Sequence, residues 1–342
     1  MQNQNEITSY QPLFNDEGIL ANPGWARKMY FDFDVTKMAA PYKKLRAWDY
    51  YFIGGDELGV AITTSFRGNC SRAIVQLMKF KEGLCLSKMV LTDEDIHQPK
   101  DDEGAVYMRT DETEVIYIRK PGKHIMKLWL KDFHQGQDLS WDLVLTYPED
   151  TDRMVIATPF TEGKELFFFN EKLNCMKVSG TVHLGDTVYT MSPDKDYAVL
   201  DFGRGVWPDW NRWYWGSASG EWNGHLLGWN IGYGFGDLSN ATENMIFFDG
   251  VAHKFDEIFF DIPVLGFTNG DWHIYSNDGR FDMMFTPLYD RQTISDLMSP
   301  PCALQHQVFG YYTGKCYLDD GTEIEVKDYF GFAEDVYNNW TE

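Results

Sequence analysis

The sequence predicts an all-β protein whose antiparallel strands close into barrels or stack as a sandwich. Short runs rich in Val, Ile, Thr and aromatics recur from Leu58 onward, many with apolar and polar residues alternating. Turn residues separate them, as in Lys120-Pro121-Gly122, Asn277-Asp278-Gly279 and Asp319-Asp320-Gly321, the last two being hairpin signals of the Asp-Gly type. No amphipathic helix intervenes, which argues against an α/β sheet.

Residues 1–57 hold few periodic runs but many aromatics, and are expected to wrap a preformed surface through turns at Pro12, Asn22-Pro23-Gly24 and Gly54-Gly55. Within them Arg46, Trp48 and Asp49 offer a charged pair beside a cavity mouth, or a purely structural ion pair. Strands are predicted at 58–65, 71–80, 89–91, 105–109, 113–119, 124–130 and 140–147, with turns at 67–69 and 101–104. A further pair at 165–170 and 172–178 leads to a strand at 186–191. Near residue 180 the composition shifts to dense Gly and Trp, which places a domain boundary there, with one barrel in 1–179 and a second in 180–342. Strands resume at 270–276, 280–285, 305–312, 315–318 and 323–327. A loop or short helix is expected at 296–301 and a helical turn in the tail GFAEDVYNNW.

A chain of 342 residues accommodates one large or two ordinary domains, and 44% hydrophobic with 16% aromatic residues excludes disorder. The net charge of −22 would repel phosphate backbones and anionic headgroups, so nucleic acid is not an expected partner. The five cysteines (70, 85, 175, 302, 316) are odd in number, far apart and without a CxxC pair, which fits a reducing compartment better than a disulfide framework or zinc knuckle. The start MQNQNEITSYQPLF lacks the basic and apolar regions of a signal peptide, and no apolar run has membrane-helix length. A cytoplasmic protein with no membrane insertion is expected.

Asp201 to Asp261 is where function is sought, because six of the twelve tryptophans (207, 210, 213, 215, 222, 229) fall in it. Along Gly228 to Gly236, Trp229, Ile231, Tyr233 and Phe235 alternate with Asn230, Gly232, Gly234 and Gly236, so one strand face is greasy and the other nearly bare. The bare face leaves room for a ligand or for a packed aromatic. Asp237 and Glu243, with Asn244, flank the following loop. Carboxylates walled by aromatics there would have raised pKa values and act as general acids, or else cap backbone amides and accept from Arg204. Upstream, Arg204, Asp209 and Arg212 lie among Trp207, Trp213 and Trp215, a set able to clamp an anionic group or to form a structural ladder. His225 is a candidate ligand contact or a satisfied core histidine. No nucleophile elbow, P-loop, dinucleotide loop or His-x-x-x-His pair occurs, so chemistry without cofactor or metal is favoured.

The motifs RGVWPDWNRWYWGSASG, GHLLGWNIGYGFGD, ATENMIFFDGVAHK and GFAEDVYNNW, with the opening PLFNDEGILANPGWAR and the run RAWDYYFI, resemble the DUF2804 family over nearly the whole chain. Asn338-Asn339-Trp340 stands where the family pattern would have Asn-Arg-Trp. The resemblance implies a calycin-like fold of two lipocalin-type antiparallel β-barrels packed together, akin to carotenoid hydratase. It also implies relatives that hydrate or cyclise lipophilic molecules without a cofactor. The expectation is acid-assisted hydration, dehydration or cyclisation of a lipophilic small molecule. Asp237 or Glu243 would be the proton donor. Arg204, Asp209, Asn230, His225 and Asn244 would orient the substrate, and Trp207, Trp213, Trp215 and Tyr233 would line its pocket. A non-catalytic carrier of the same ligands is the alternative, and sugar binding through exposed tryptophans a third.

Overall fold

The computed structural model describes residues 4–67, 70–93, 96, 103–295 and 302–341. Parts of the turns expected at 67–69 and 101–104, and the loop at 296–301, lie outside them. The chain is all-β, with three short 3-10 turns among the described residues. No helix in the described residues is long and apolar enough to cross a membrane.

The chain forms two compact units from alternating pieces: unit 1 comprises 1–40, 152–174 and 205–342, and unit 2 comprises 41–151 and 175–204. The boundary expected near residue 180 falls inside one long strand, Gly163–Leu184, whereas the chain passes between units at 40/41, 151/152, 174/175 and 204/205.

Unit 1 is built on a nine-stranded antiparallel sheet. Its spatial order is Val251–Lys254, Met245–Phe248, His225–Tyr233, Trp210–Trp222, Glu323–Asn339, Cys302–Tyr317, Phe281–Ile294, Trp272–Ser276 and Ile258–Asp261. One face carries the core, in which Trp229, Ile231, Ile246, Phe281, Phe285 and Tyr312 are fully buried together. Apolar residues at every second position put this face inside. Fully burying each such side chain contributes roughly 1.5–3 kcal/mol. The opposite face carries Trp213, Trp215, Asn230, Gly232, Gln307 and Glu334, since Trp215 pairs across strands with Gly232 and Glu334, and Glu334 with Gln307. Segments 4–40 and 152–174 belong to the same unit, and Asn174 reaches this face, donating to Ser217 Oγ at 2.8 Å and Trp229 O at 3.1 Å.

The larger sheet, most of whose residues belong to unit 2, has a strand order that includes Leu84–Thr92, Cys70–Lys79, Gly59–Arg67, Arg46–Gly54, Tyr197–Val206, Gly163–Leu184, Gln137–Thr146, Lys123–His134, Thr113–Lys120 and Gly104–Thr110. All five cysteines are free thiols.

Three elements differ from the sequence reading. The tail is not helical: Glu323–Asn339 is a seventeen-residue strand, because Phe332, Glu334, Val336 and Asn338 share one face at period two and the polar members hid that alternation. Trp210–Trp222 is likewise a strand whose aromatic crowding masked its period. The pair expected at 165–178 is one continuous strand of 22 residues. It continues through Gly180, at φ +129, where a Cβ would meet Asp142 O at 2.1 Å. Gly180→Ala is therefore expected to destabilise the protein by at least about 2 kcal/mol, read as a lowered urea midpoint. An unchanged midpoint would show that the backbone yields freely there.

Candidate functional site

The alternation in Gly228 to Gly236 places Trp229 and Ile231 in the core and turns Asn230 and Gly232 to the opposite face of the sheet. There a hydrogen-bonded chain forms. Trp215 Nε1 donates to Asn230 Oδ1 at 2.7 Å, and Asn230 Nδ2 donates to Glu243 O at 2.9 Å. Asn244 accepts from Gly232 N at 2.8 Å and donates to Asp256 O at 2.6 Å. Asn230, Glu243 and Asn244 are all buried. A Cβ on Gly232 would lie 3.5 Å from Glu243 Oε2, so the bare strand face admits this carboxylate. At Gly236 the space is filled by Thr158, whose Oγ1 would stand 2.6 Å from an added Cβ.

Lys254 completes the chain. Its ammonium donates to Thr242 Oγ1 at 2.6 Å, Phe255 O at 3.1 Å and Asn244 O at 3.2 Å. Burial pulls its pKa down to about 7, against the opposing pull of Asp256 and Glu243. Lys254 also lines an open cavity of about 630 Å³ with Asp278, Arg280, Tyr317 and Asp319. Because its folded pKa lies below the ordinary 10.5, the unfolded chain binds more protons between these values. Its contribution to stability thus rises with pH from about 7 toward 10.5, and the burial penalty is fully present below 7. Lys254→Met is expected to flatten the stability curve in that window, measured by urea unfolding at stepped pH; an unaltered slope would contradict the assignment.

Beside this chain lies an aromatic hub centred on Phe235, with ring centroids 4.7 Å from Phe168, 5.3 Å from Phe160 and Trp207, and 5.5 Å from Trp213. Trp213 Nε1 donates to Glu334 Oε2 at 3.1 Å, and Gln307 Nε2 donates to Glu334 Oε1 at 2.5 Å, with Arg291 Nε on Gln307 Oε1 at 2.9 Å. Lys172 Nζ stands 3.9 Å above the Trp215 ring, a buried cation–π contact. Next to it in sequence, Glu171 is fully buried against Arg153 Nη1 at 2.7 Å.

The remaining expected residues do not join this layer. Asp237 closes a turn, its Oδ1 accepting from Ser239 N at 3.0 Å while its own N–H donates to Pro159 O at 2.8 Å. His225 is exposed at a hairpin end, bound to Asp249 at 2.7 Å and stacked on Phe248. Asp209 is exposed, and its backbone carbonyl accepts from Trp340 N at 2.8 Å. Tyr233 stacks on Tyr214 at 4.5 Å and packs against the apolar core, on the opposite face from Asn230; burial pushes its pKa up to about 12. Arg204 belongs to unit 2, where its guanidinium is buried on Asp49 Oδ1 at 2.8 Å and Trp48 O at 2.7 Å, over the Phe202 ring. The charged group expected at residues 46–49 is thus the partner of Arg204, whose hydrogen-bonded carboxylate is neither Asp237 nor Glu243. Arg212 instead forks onto Asp335 at 2.7 and 2.9 Å. Trp207, Trp215 and Trp229 are buried and only Trp210 of the six is widely exposed, at 60%, which leaves little indole surface for sugars.

Lys172, Lys254, Gln307, Arg291 and Glu334 were missed from sequence. One signal existed: Asn170-Glu171-Lys172 interrupts an apolar strand, and such polar residues must be buried with partners. Among the described residues no group of three or more His, Cys, Asp or Glu converges on a common metal position.

Comparison with known proteins gives one family match, to a domain of unknown function, DUF2804, over residues 4–340. No curated protein matches the sequence. An AttH-like protein from Nitrosomonas europaea superposes with a TM-score of 0.55 at 14% identity, covering 91% of this chain and 97% of that one. CghA with Sch210972 superposes at 0.52 and 10% identity, covering 87% and 88%. Kievitone hydratase from Nectria haematococca gives 0.47 at 12% identity, covering 86% and 89%.

Proposed function

The chain belongs to the DUF2804 family, and for this member we propose cofactor-free, acid-assisted hydration, dehydration or cyclisation of a lipophilic small molecule, with Glu243 as the proton-transfer group. The observation that carries this is the placement of one buried carboxylate over the bare backbone of Gly232, in the electrostatic field of Lys254. Lys254, whose pKa burial brings to about 7, would help to return a proton to this carboxylate at working pH. Of the two carboxylates expected from sequence, Asp237 is committed to its turn, so Glu243 is the better donor.

Asn230, anchored by Trp215 and by the Glu243 carbonyl, would hold a substrate hydroxyl or carbonyl. Trp207 and Trp213 would face the positive charge that develops on protonation of an alkene or loss of water. Trp215 supplies less, because Lys172 already occupies a face of its ring. Asn230→Ala is expected to lower kcat/KM about tenfold, mainly through KM, since its amide orients rather than reacts. An unchanged KM and kcat would remove Asn230 from the site. The fold of CghA, a protein captured with Sch210972, is consistent with this fold accommodating small molecules.

The reading is tested by incubating the protein with isoprenoid alkenes and tertiary allylic alcohols in labelled water and following products by mass spectrometry. Gain of one labelled water, loss of one water, or unchanged mass at a new retention time supports it. A panel compound retained intact in native mass spectrometry and never altered would instead identify a carrier.

A further inference from the structure

We propose that the open end of the core face of unit 1 holds a second chemical site, in which His306 transfers the acyl group of an aryl ester to water and Asp290 holds its imidazole in the nucleophilic tautomer. Four histidines of this unit pair with an aspartate: His225 with Asp249, His253 with Asp319, His273 with Asp282 and His306 with Asp290. The first three carboxylates are 48%, 51% and 67% exposed in their side chains, that of Asp290 only 8%. Solvent screens the first three pairs, whereas the fourth acid is built into the fold.

Asp290 Oδ2 accepts from His306 Nδ1 and from Gln292 Nε2, both at 2.8 Å, and its Oδ1 is buried without a partner. A carboxylate only accepts, so in the neutral ring Nδ1 carries the proton and Nε2 the lone pair. Nε2 has no hydrogen-bond partner among the described residues and is not shut off from solvent. The ring itself is clamped, since Phe267 stacks on it at 3.7 Å and Trp272 Nε1 holds Phe267 O at 2.9 Å. A nucleophile open to solvent, with a buried acid fixing its tautomer, is an arrangement suited to covalent catalysis.

The surroundings select the substrate class. His306 pairs in register with Asp335, Asp335 with Tyr214, and Tyr214 with Tyr233. Cross-strand partners share a face, so this row lies on the core side of the sheet, opposite Asn230 and Gly232. Asp335 is forked onto the exposed Arg212, which leaves Asp290 as the carboxylate bound to the imidazole. Tyr214 and Tyr233, stacked and half-buried, form an aromatic shelf two strands, or roughly 10 Å, along the row from His306. Val264 and Leu265 stand exposed on the loop that carries Phe267, an apolar rim for the acyl chain. In the step, the Nε2 lone pair attacks the acyl carbon and the C–O bond breaks, so the phenolate leaves with its electron pair. Water then adds to the acyl carbon, the C–N bond breaks to restore the Nε2 lone pair, and a carboxylic acid and a phenol result. Phenolate is a weaker base than alkoxide and is the group an imidazole can expel.

The probe is 4-nitrophenyl acetate, whose hydrolysis releases coloured 4-nitrophenolate. Wild-type protein is expected to hydrolyse it with saturation. His306→Gln, which keeps an N–H donor for Asp290, is expected to lower kcat/KM at least about tenfold. His273→Gln, at an exposed pair, is expected to leave it unchanged. Asp290→Asn is expected to lower kcat with KM unchanged, because it frees the tautomer without touching the ester. Independently, nitrogen-15 NMR at mildly alkaline pH should show His306 as the Nδ1–H tautomer in wild type and as a mixture in Asp290→Asn. Absence of saturation, an undiminished rate in His306→Gln, an equal loss in His273→Gln, or the Nε2–H tautomer in wild type would each overturn the proposal.

Discussion

Asp49→Ala is expected to destabilise the protein by about 3–5 kcal/mol, because it leaves the Arg204 guanidinium buried with its carboxylate removed. Asp49 and Arg204 are 0% and 3% exposed in their side chains and 2.8 Å apart. The same change deprives Tyr117 of the oxygen to which it donates. A second substitution separates charge from packing: Asp49→Ala with Arg204→Met should recover part of the loss, since removing both charges is cheaper than stranding one. Urea unfolding of the single and double variants reads the difference. Equal stability of Asp49→Ala and wild type would mean that the pair is solvated in solution.

Glu243→Gln is the second large effect. It keeps size and hydrogen-bonding capacity but cannot give or take the proton, so turnover of whichever compound the wild type converts should fall about 10²–10⁴-fold. The backbone carbonyl of residue 243, which anchors Asn230, is untouched by the change. A large loss of stability with unchanged turnover would assign Glu243 to the fold alone.

The all-β class was legible because strand periodicity and Asp-Gly turns are local signals; the expected alternation holds for residues 229–233, but the strand ends at Tyr233 and Phe235 packs against Trp213, on the other face from Trp229. What the sequence concealed is long-range. Nothing local distinguishes Asp49 as the partner of Arg204, 155 positions away. Lys254 looks like an ordinary strand residue until burial and three oxygen acceptors surround it. Tyr233 shows the opposite failure: its alternation with Asn230 already placed the two on different faces, so a single pocket could not hold both. The tail was misread because its polar members, Glu334 and Asn338, are buried on the sheet face rather than exposed.

The central claim is that Glu243, and not Asp237, moves the proton. The direct measurement is deuterium uptake into product from heavy water, compared in wild type, Glu243→Gln and Asp237→Asn. For a hydration or a proton-initiated cyclisation the account predicts label entering one carbon of the product at the wild-type rate with Asp237→Asn and about 10²–10⁴-fold more slowly with Glu243→Gln, and for a dehydration the same contrast in the rate of water loss. Label entering at the wild-type rate in Glu243→Gln but lost in Asp237→Asn would contradict it.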